Sequence, residues 1–428
     1  MTTVASPSGT REPVGSYTQR IDERPAATDS TPSASRRIAS IDIIRGAVMV
    51  LMAVDHVRVY SAVPAGGPWP GVFFTRWITH FCAPAFIFLA GTSAFLYGEK
   101  VRDRGALARF LFTRGAWLVL LELTVLRFAW TFNFDYAHYT LAGVIWVIGW
   151  CMILMAALVR LPVATIGTIG VAIIALHNVT DLLGLGRAAS QSRLAWLWQI
   201  LYFGGSVSLG GGGENGPQLA VLYSIIPWIG VMAAGFAFGG IMQLEPERRR
   251  RICVTIGLGA IAAFLILRGF NIYGDPRPWG VAGPPRPQLP PMPPLLQFLG
   301  TNKYPASLLF LLMTLGPTIL LIPFLEHARG RLAGVLTVFG RVPFFYYVLH
   351  IPLIHLIFVG LSLARYGTVI PWMTANHPMF PPAPPRGYMY SLPALYAITA
   401  VAVTILYFPC RWFAALKSRR RDRWLSYL

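Results

Sequence analysis

Apolar residues fall into ten long runs, at approximately 38–60, 74–98, 110–132, 139–160, 162–180, 218–243, 252–271, 305–324, 332–362 and 391–414. A helix of about 20 apolar residues spans a bilayer. The pattern therefore predicts an all-α polytopic membrane protein, a bundle of about ten transmembrane helices. The polar connections orient it. KVRDRGALAR follows the second run, EPERRRR precedes the seventh, EHARGR precedes the ninth, and KSRRRDR follows the tenth. With an even number of spans and a basic segment at each end, every strongly basic connection falls on one side, which is the cytoplasm by the positive-inside rule. Both termini are then cytoplasmic. The tightest joint is Arg160-Leu161-Pro162, and merging the runs on either side of it would put EPERRRR outside.

Three parts follow. Residues 1–37, polar and rich in Ser, Thr, Pro and Arg, read as a disordered cytoplasmic tail without a cleaved signal peptide. Residues 38–414 form the transmembrane domain, and 415–428 a basic cytoplasmic tail. The outer connections are 61–73, 133–138, 181–217, 272–304 and 363–390. Two of them hold proline-rich stretches, DPRPWGVAGPPRPQLPPMPP and MFPPAPPRGYMY, whose extended conformation suits a lid or vestibule. Gly204–Pro217 is glycine-rich but lacks the ending and the setting of a phosphate loop. Ser190–Phe203 is amphipathic and is expected to lie in the interface.

Composition narrows the class. Of 428 residues 55% are hydrophobic and only 12% charged, about half the charged share of a soluble domain. The net charge of +19 lies mostly in short runs between apolar spans, a topology signal rather than a nucleic-acid surface. Cys82, Cys151, Cys253 and Cys410 stand singly in apolar runs, which fits small core residues and neither a disulfide framework nor a zinc site.

The chemistry is concentrated in the first run, RIASIDIIRGAVMVLMAVDHVRVYSA, which carries Asp42, Arg45, Asp55, His56 and Arg58. Ionisable groups at bilayer depth cost at least a few kcal/mol each. Arg45 and His56, eleven residues apart, project from nearly one face and lie roughly 16 Å apart along the axis. Asp42 is near that face, and Met49 and Met52 fill the stripe between. One reading pairs Asp42 with Arg45 at the cytoplasmic interface and leaves Asp55, His56 and Arg58 at the outer one. The other makes this face part of a substrate path. His80 opens the second run just past Arg76, so closing the first hairpin is expected to bring His56, His80, Asp55 and Arg76 to one outer mouth. An imidazole there is either structural or a general base. No serine elbow and no HExxH pattern is present.

Other charged positions have two readings each. Glu122, in the middle of the third run, must be neutral or paired, with Arg45 or Arg114 as partner. Tyr346 and His350 share a face of the ninth run, His355 points elsewhere, and Pro352 should kink the helix. Lys303 puts a cation at the outer mouth, by snorkelling or for substrate. Arg102, Arg104, Arg109 and Arg114 serve as a topology signal or hold the phosphates of a nucleotide-type donor.

RIASIDIIRGAVMVLMAVDH followed by CAPAFIFLAGTSAFLYG resembles the first two helices of the heparan-α-glucosaminide N-acetyltransferase catalytic-domain family. The Arg45–His56 spacing is also similar to the signature of the acyltransferase-3 family, likewise about ten-helical. LFTRGAWLVLLE, TNKYPASLLFLLMTLGP and FGRVPFFYYVLHIPLIHL resemble later blocks of bacterial relatives of the first family, so that the resemblance spans most of 36–363. The resemblance implies an integral-membrane acyltransferase of the cell (inner) membrane. It would move an acyl group, acetyl in the first instance, from cytoplasmic acyl-CoA to a sugar hydroxyl or amine on the far side. Acyl-CoA is then a co-substrate, with no bound cofactor or metal. The partners are the lipid bilayer and an extracytoplasmic glycan or other small acceptor. The human-type enzymes carry a histidine in the outer loop after the first helix and a polar non-histidine residue where His56 stands. Val57–Thr79 contains no histidine, so His56 or His80 takes the catalytic role. Asp42, Arg45, Asp55, Arg76, Lys303 and His350 are the substrate-binding candidates, with Arg45, Arg76 or Lys303 facing the developing oxyanion. The rival reading is a multipass transporter of a small anion or a lipid-linked glycan, because intramembrane charge marks transport pathways too.

Overall fold

The computed structural model describes residues 38–209, 216–281 and 290–420, with 422 and 425. The expected tail 1–37, part of the glycine-rich segment and part of the first proline-rich stretch lie outside the described residues.

The chain is an all-α membrane protein with a small accessory sheet. Its helices are α1 (Ala39–Tyr60), α2 (Pro70–Trp77), α3 (Cys82–Val101), α4 (Arg104–Leu121), α5 (Val144–Leu158) and α6 (Val163–Leu176). Then come α7 (Ile225–Ile241), α8 (Pro246–Gly269), α9 (Leu308–Leu325), α10 (Arg331–Arg341), α11 (Pro343–Tyr366) and α12 (Leu392–Arg419). A 3₁₀ turn, Ile78–Phe81, joins α2 to α3, and α4 continues through a π turn, Glu122–Leu126, into Arg127–Thr131. Six helical stretches are long and apolar enough to cross a membrane: Pro70–Val101, Val163–Leu182, Pro246–Gly269, Leu308–Leu325, Pro343–Tyr366 and Leu392–Arg419. Val144–Leu158 and Ile225–Ile241 are apolar but shorter.

The helix bounds depart from the apolar runs in instructive ways. Run 332–362 is two helices. Proline disfavours helical geometry in the residue before it, and Val342, at φ −132° and ψ 49°, ends α10 so that Pro343 can start α11. At 11 residues, α10 rises only about 16 Å and does not cross a bilayer by itself. Runs 139–160 and 218–243 each begin as a strand. β1 (Tyr139–Ala142) pairs in parallel with β3 (Gln218–Val221), and β2 (Gly205–Ser208) pairs antiparallel with β3. Apolarity alone does not separate a short buried strand from the first turn of a helix.

α1 sits inside the bundle and packs against α3, α9, α10, α11 and α12. Its polar groups therefore meet protein rather than lipid. Gly340 of α10 touches the Asp42 carbonyl, where any Cβ would come within 1.7 Å, and Gly46 meets the Leu336 carbonyl in the same way at 1.9 Å. Backbones approach this closely only through small residues, the usual device for joining membrane helices. α8 and α12 form part of the rim, with 22% of their apolar windows buried against 67% for α9.

Candidate active site

The C-terminal end of α1 carries a group of buried polar side chains. Asp55 accepts hydrogen bonds from Arg58 Nε at 3.0 Å and Arg76 Nη1 at 2.6 Å. The i, i+3 spacing puts Arg58 one turn above Asp55. α2, started by Pro70, delivers Arg76 from the side. Arg76 also donates to Thr79 at 3.1 Å and to the Tyr304 hydroxyl at 3.5 Å, while Arg58 reaches the Val63 carbonyl at 2.9 Å. One carboxylate thus holds two guanidinium groups, each only 8% exposed.

His56 is next on the helix. Its Nδ1 lies 2.7 Å from Nε2 of His350, and His350 Nδ1 lies 2.6 Å from the carbonyl of Tyr347, three residues earlier on α11. A carbonyl only accepts, so the proton of neutral His350 resides on Nδ1. Its Nε2 is then an acceptor, and His56 must donate from Nδ1. This fixes His56 as the tautomer with a lone pair on Nε2, and His56 makes no other hydrogen bond among the described residues. Trp130 packs edge-on against its ring at 4.7 Å and restricts its rotation.

Both groups border a cavity of about 40 Å³ lined by Met52, Asp55, His56, Thr79, Cys82, Ala83, Phe86, Val144, Tyr223, Lys303 and Tyr347. That is room for a few waters. Lys303 is 6% exposed, and its Nζ stands 5.7 and 5.2 Å from the ring centres of Tyr223 and Tyr304. Burial opposes ionisation of Tyr304, but the Lys303 and Arg76 cations beside it outweigh burial, and its hydroxyl titrates below the ordinary phenol value.

The structure brings Asp55, His56, Arg76, Lys303 and His350 together. His80 stays within electrostatic reach of Arg76, Lys303 and Asp55 but makes no hydrogen bond or ring contact with His56. The 3₁₀ turn directs the His80 ring edge-on to Phe310 of α9, with centroids 5.4 Å apart, and its Nδ1 is buried without a hydrogen-bond partner. Asp42 and Arg45 also lie apart from the cavity. Arg45 bonds the Leu89 carbonyl at 3.0 Å and the Ser93 hydroxyl, with Asp42 3.7 Å away, tying α1 to α3. Glu122 pairs with neither Arg45 nor Arg114. Its Oε2 accepts from the Ile145 amide at 3.0 Å, so it caps α5, where free N–H groups favour a carboxylate. Arg102, Arg104 and Arg109 are exposed and Arg114 is half-buried. Arg104 donates to the Arg160 carbonyl at 2.9 Å. Positions five apart turn roughly 140° around a helix, so Arg104, Arg109 and Arg114 fan around α4 rather than share a face.

His355 lies on another face of α11 from His350, but it is fully buried. Its ring nitrogens meet the carbonyls of Ala129 and Met373 at 3.0 and 2.8 Å, holding segment 371–377 to the bundle. Two site residues carried no sequence signal. Tyr223 follows a strand that apolarity had hidden, and Trp130 comes from the far end of α4. Tyr347 was findable, being one turn from His350 on the same helix.

Comparison with known families matches residues 37–271 to the family described as heparan-alpha-glucosaminide N-acetyltransferase, catalytic. No curated protein matches the chain.

Proposed function

The chain belongs to the heparan-alpha-glucosaminide N-acetyltransferase catalytic family and is a multi-pass membrane enzyme of the acetyltransferase type, and on that premise we propose that His56 is the general base of acyl transfer from acyl-CoA. The observation that carries this is the tautomer-fixed pair His56–His350 at the edge of a cavity that Asp55 and Lys303 also line. An acceptor hydroxyl or amine attacks the thioester carbonyl while its proton passes to His56 Nε2. The new acyl–oxygen or acyl–nitrogen bond forms, the carbon–sulfur bond breaks, and the proton held on His56 goes to the leaving thiolate. His350 is a positioning residue that fixes the tautomer. The positive field of Arg76 and Lys303 favours the oxyanion that develops at the carbonyl.

In this reading ten helical segments cross the bilayer, both termini are cytoplasmic, and the enzyme sits in the inner membrane. Arg102 and Arg104 at the α3–α4 turn, with Arg109 and Arg114 beyond them, give the cytoplasmic end a basic field for the donor phosphates. Arg45, on the His56 face of α1 and roughly three turns away, borders the path between the two ends. The acceptor, a sugar amine or hydroxyl, reaches the cavity from the opposite side.

Sealed vesicles of known orientation test this. A cysteine at Ser418 should be shielded from an impermeant thiol reagent in intact cells and one at Ser208 should react; the native cysteines are all buried. Acetyl-CoA supplied only on the Ser418 side should acetylate glucosamine held on the Ser208 side. Transfer only between substrates on one side would refute the transmembrane route, and no transfer in any arrangement would refute the acyltransferase assignment.

A further inference from the structure

The cavity beside His56 holds more positive charge than the reaction uses. Arg58, Arg76 and Lys303 are each less than a tenth exposed, and the carboxylate of Asp55 is committed to the first two. The Lys303 side chain makes no hydrogen bond or ion pair among the described residues, its backbone being bridged to Ala306. Its ammonium stands over the faces of Tyr223 and Tyr304 and borders the cavity, and the carboxylate in its electrostatic reach, Asp55, is already shared by the two arginines. Glu122 does not balance it, because that carboxylate is engaged at the start of α5. A buried charge without a counter-ion is costly. The oxyanion of acyl transfer neutralises one positive charge, and only fleetingly.

We propose that this cavity receives a permanent carboxylate of one substrate, with Lys303 as its counter-ion beside the reacting centre. The proposal rests on the acyltransferase reading and adds a substrate class to it. A planar carboxylate of three heavy atoms matches the small cavity and makes a charge-assisted bond to the ammonium. It has two sources: an acidic acceptor, such as an amino sugar acid, or a dicarboxylic acyl group carried on CoA.

Two measurements on the purified full chain decide it. The first needs no turnover: thermal unfolding with glucuronate, succinate or glucose. One of the acids should raise the midpoint where glucose does not, since a ligand that binds only the folded state stabilises it. Lys303→Met should abolish that rise and Lys303→Arg should retain most of it; Lys303→Gln serves if the methionine variant expresses poorly. A rise equal for acids and glucose, or one that survives Lys303→Met, overturns the proposal. The second compares kcat/KM for 2-amino-2-deoxyglucuronate against glucosamine with acetyl-CoA, and for succinyl-CoA against acetyl-CoA with glucosamine. An acid preference in the first pair assigns the carboxylate to the acceptor, and in the second pair to the acyl group. Lys303→Met should lower the preferred ratio at least about tenfold, the worth of roughly 1.4 kcal/mol. Turnover with no acid preference in either pair overturns the proposal and leaves acyl transfer standing. No turnover with any pair removes the acyltransferase reading, while the unfolding measurement still decides whether the cavity binds carboxylates.

Discussion

His56→Ala is expected to lower acyl-transfer turnover by at least about two orders of magnitude, at the modest end of the hundred- to ten-thousand-fold that a general base supplies. The loss should fall mainly on kcat, because the imidazole acts on a proton in flight rather than on substrate binding. Folding should survive, since the alanine leaves His350 with its Tyr347 carbonyl and space that water from the adjoining cavity can fill. His350→Gln separates orientation from chemistry. The amide can accept from His56 Nδ1, so it should retain far more activity than His350→Ala, in which His56 is free to rotate. Equal losses in both would mean that His350 does more than hold a tautomer. Michaelis–Menten analysis of the three purified variants, with their expression and melting behaviour as controls, checks each of these outcomes.

Asp55→Ala should be the most destabilising polar substitution in the C-terminal half of α1, by about 3–5 kcal/mol, the usual cost of removing one partner from a buried ionic group. Asp55 joins two nearly buried guanidinium groups from different elements, Arg58 on α1 and Arg76 on α2. Without it they repel each other beside Lys303. If charge is the cause, Asp55→Ala/Arg76→Met should recover much of the loss, because the second change removes the stranded cation. Unfolding in detergent by denaturant, followed by tryptophan fluorescence, measures both variants. A double variant no more stable than the single one would mean that Asp55 matters through packing or the Thr79 and Tyr304 contacts rather than through charge.

Much of the helical architecture is legible in the sequence because membrane-length apolar runs have few alternatives. Each run contains a helix, and what the runs conceal is where helices stop. Val342 ends α10 because Pro343 follows it, a local signal that a hydropathy average across 332–362 overrides. The strands at Tyr139–Ala142 and Gln218–Val221 are hidden for the opposite reason: four apolar residues look the same in either conformation, and their pairing joins positions 79 residues apart.

The site is legible in part. Helical spacing along α1 places Asp55 with Arg58, and a short hairpin brings Arg76 near them. The same logic brings His80 to Asp55 and Arg76, which holds, but also faces it to His56, which does not, because it assumes α3 continues straight from α2. The 3₁₀ turn between them swings His80 to Phe310. The actual partner, His350, is 294 residues away on α11, and no local spacing connects them. Glu122 shows the same limit. An intramembrane carboxylate suggests an arginine, yet its partner is the amide of Ile145 at the start of the next helix, a backbone donor that a list of charged residues does not contain.

Covalent acyl transfer with His56 as the base is tested most directly by a mass balance on purified chain in nanodiscs supplied with acetyl-CoA and an amino-sugar acceptor. One acetylated acceptor is expected for each CoA thiol released, with this coupled turnover retained in His80→Ala and lost in His56→Ala. Unmodified acceptor, or full turnover in His56→Ala with loss in His80→Ala, would contradict it.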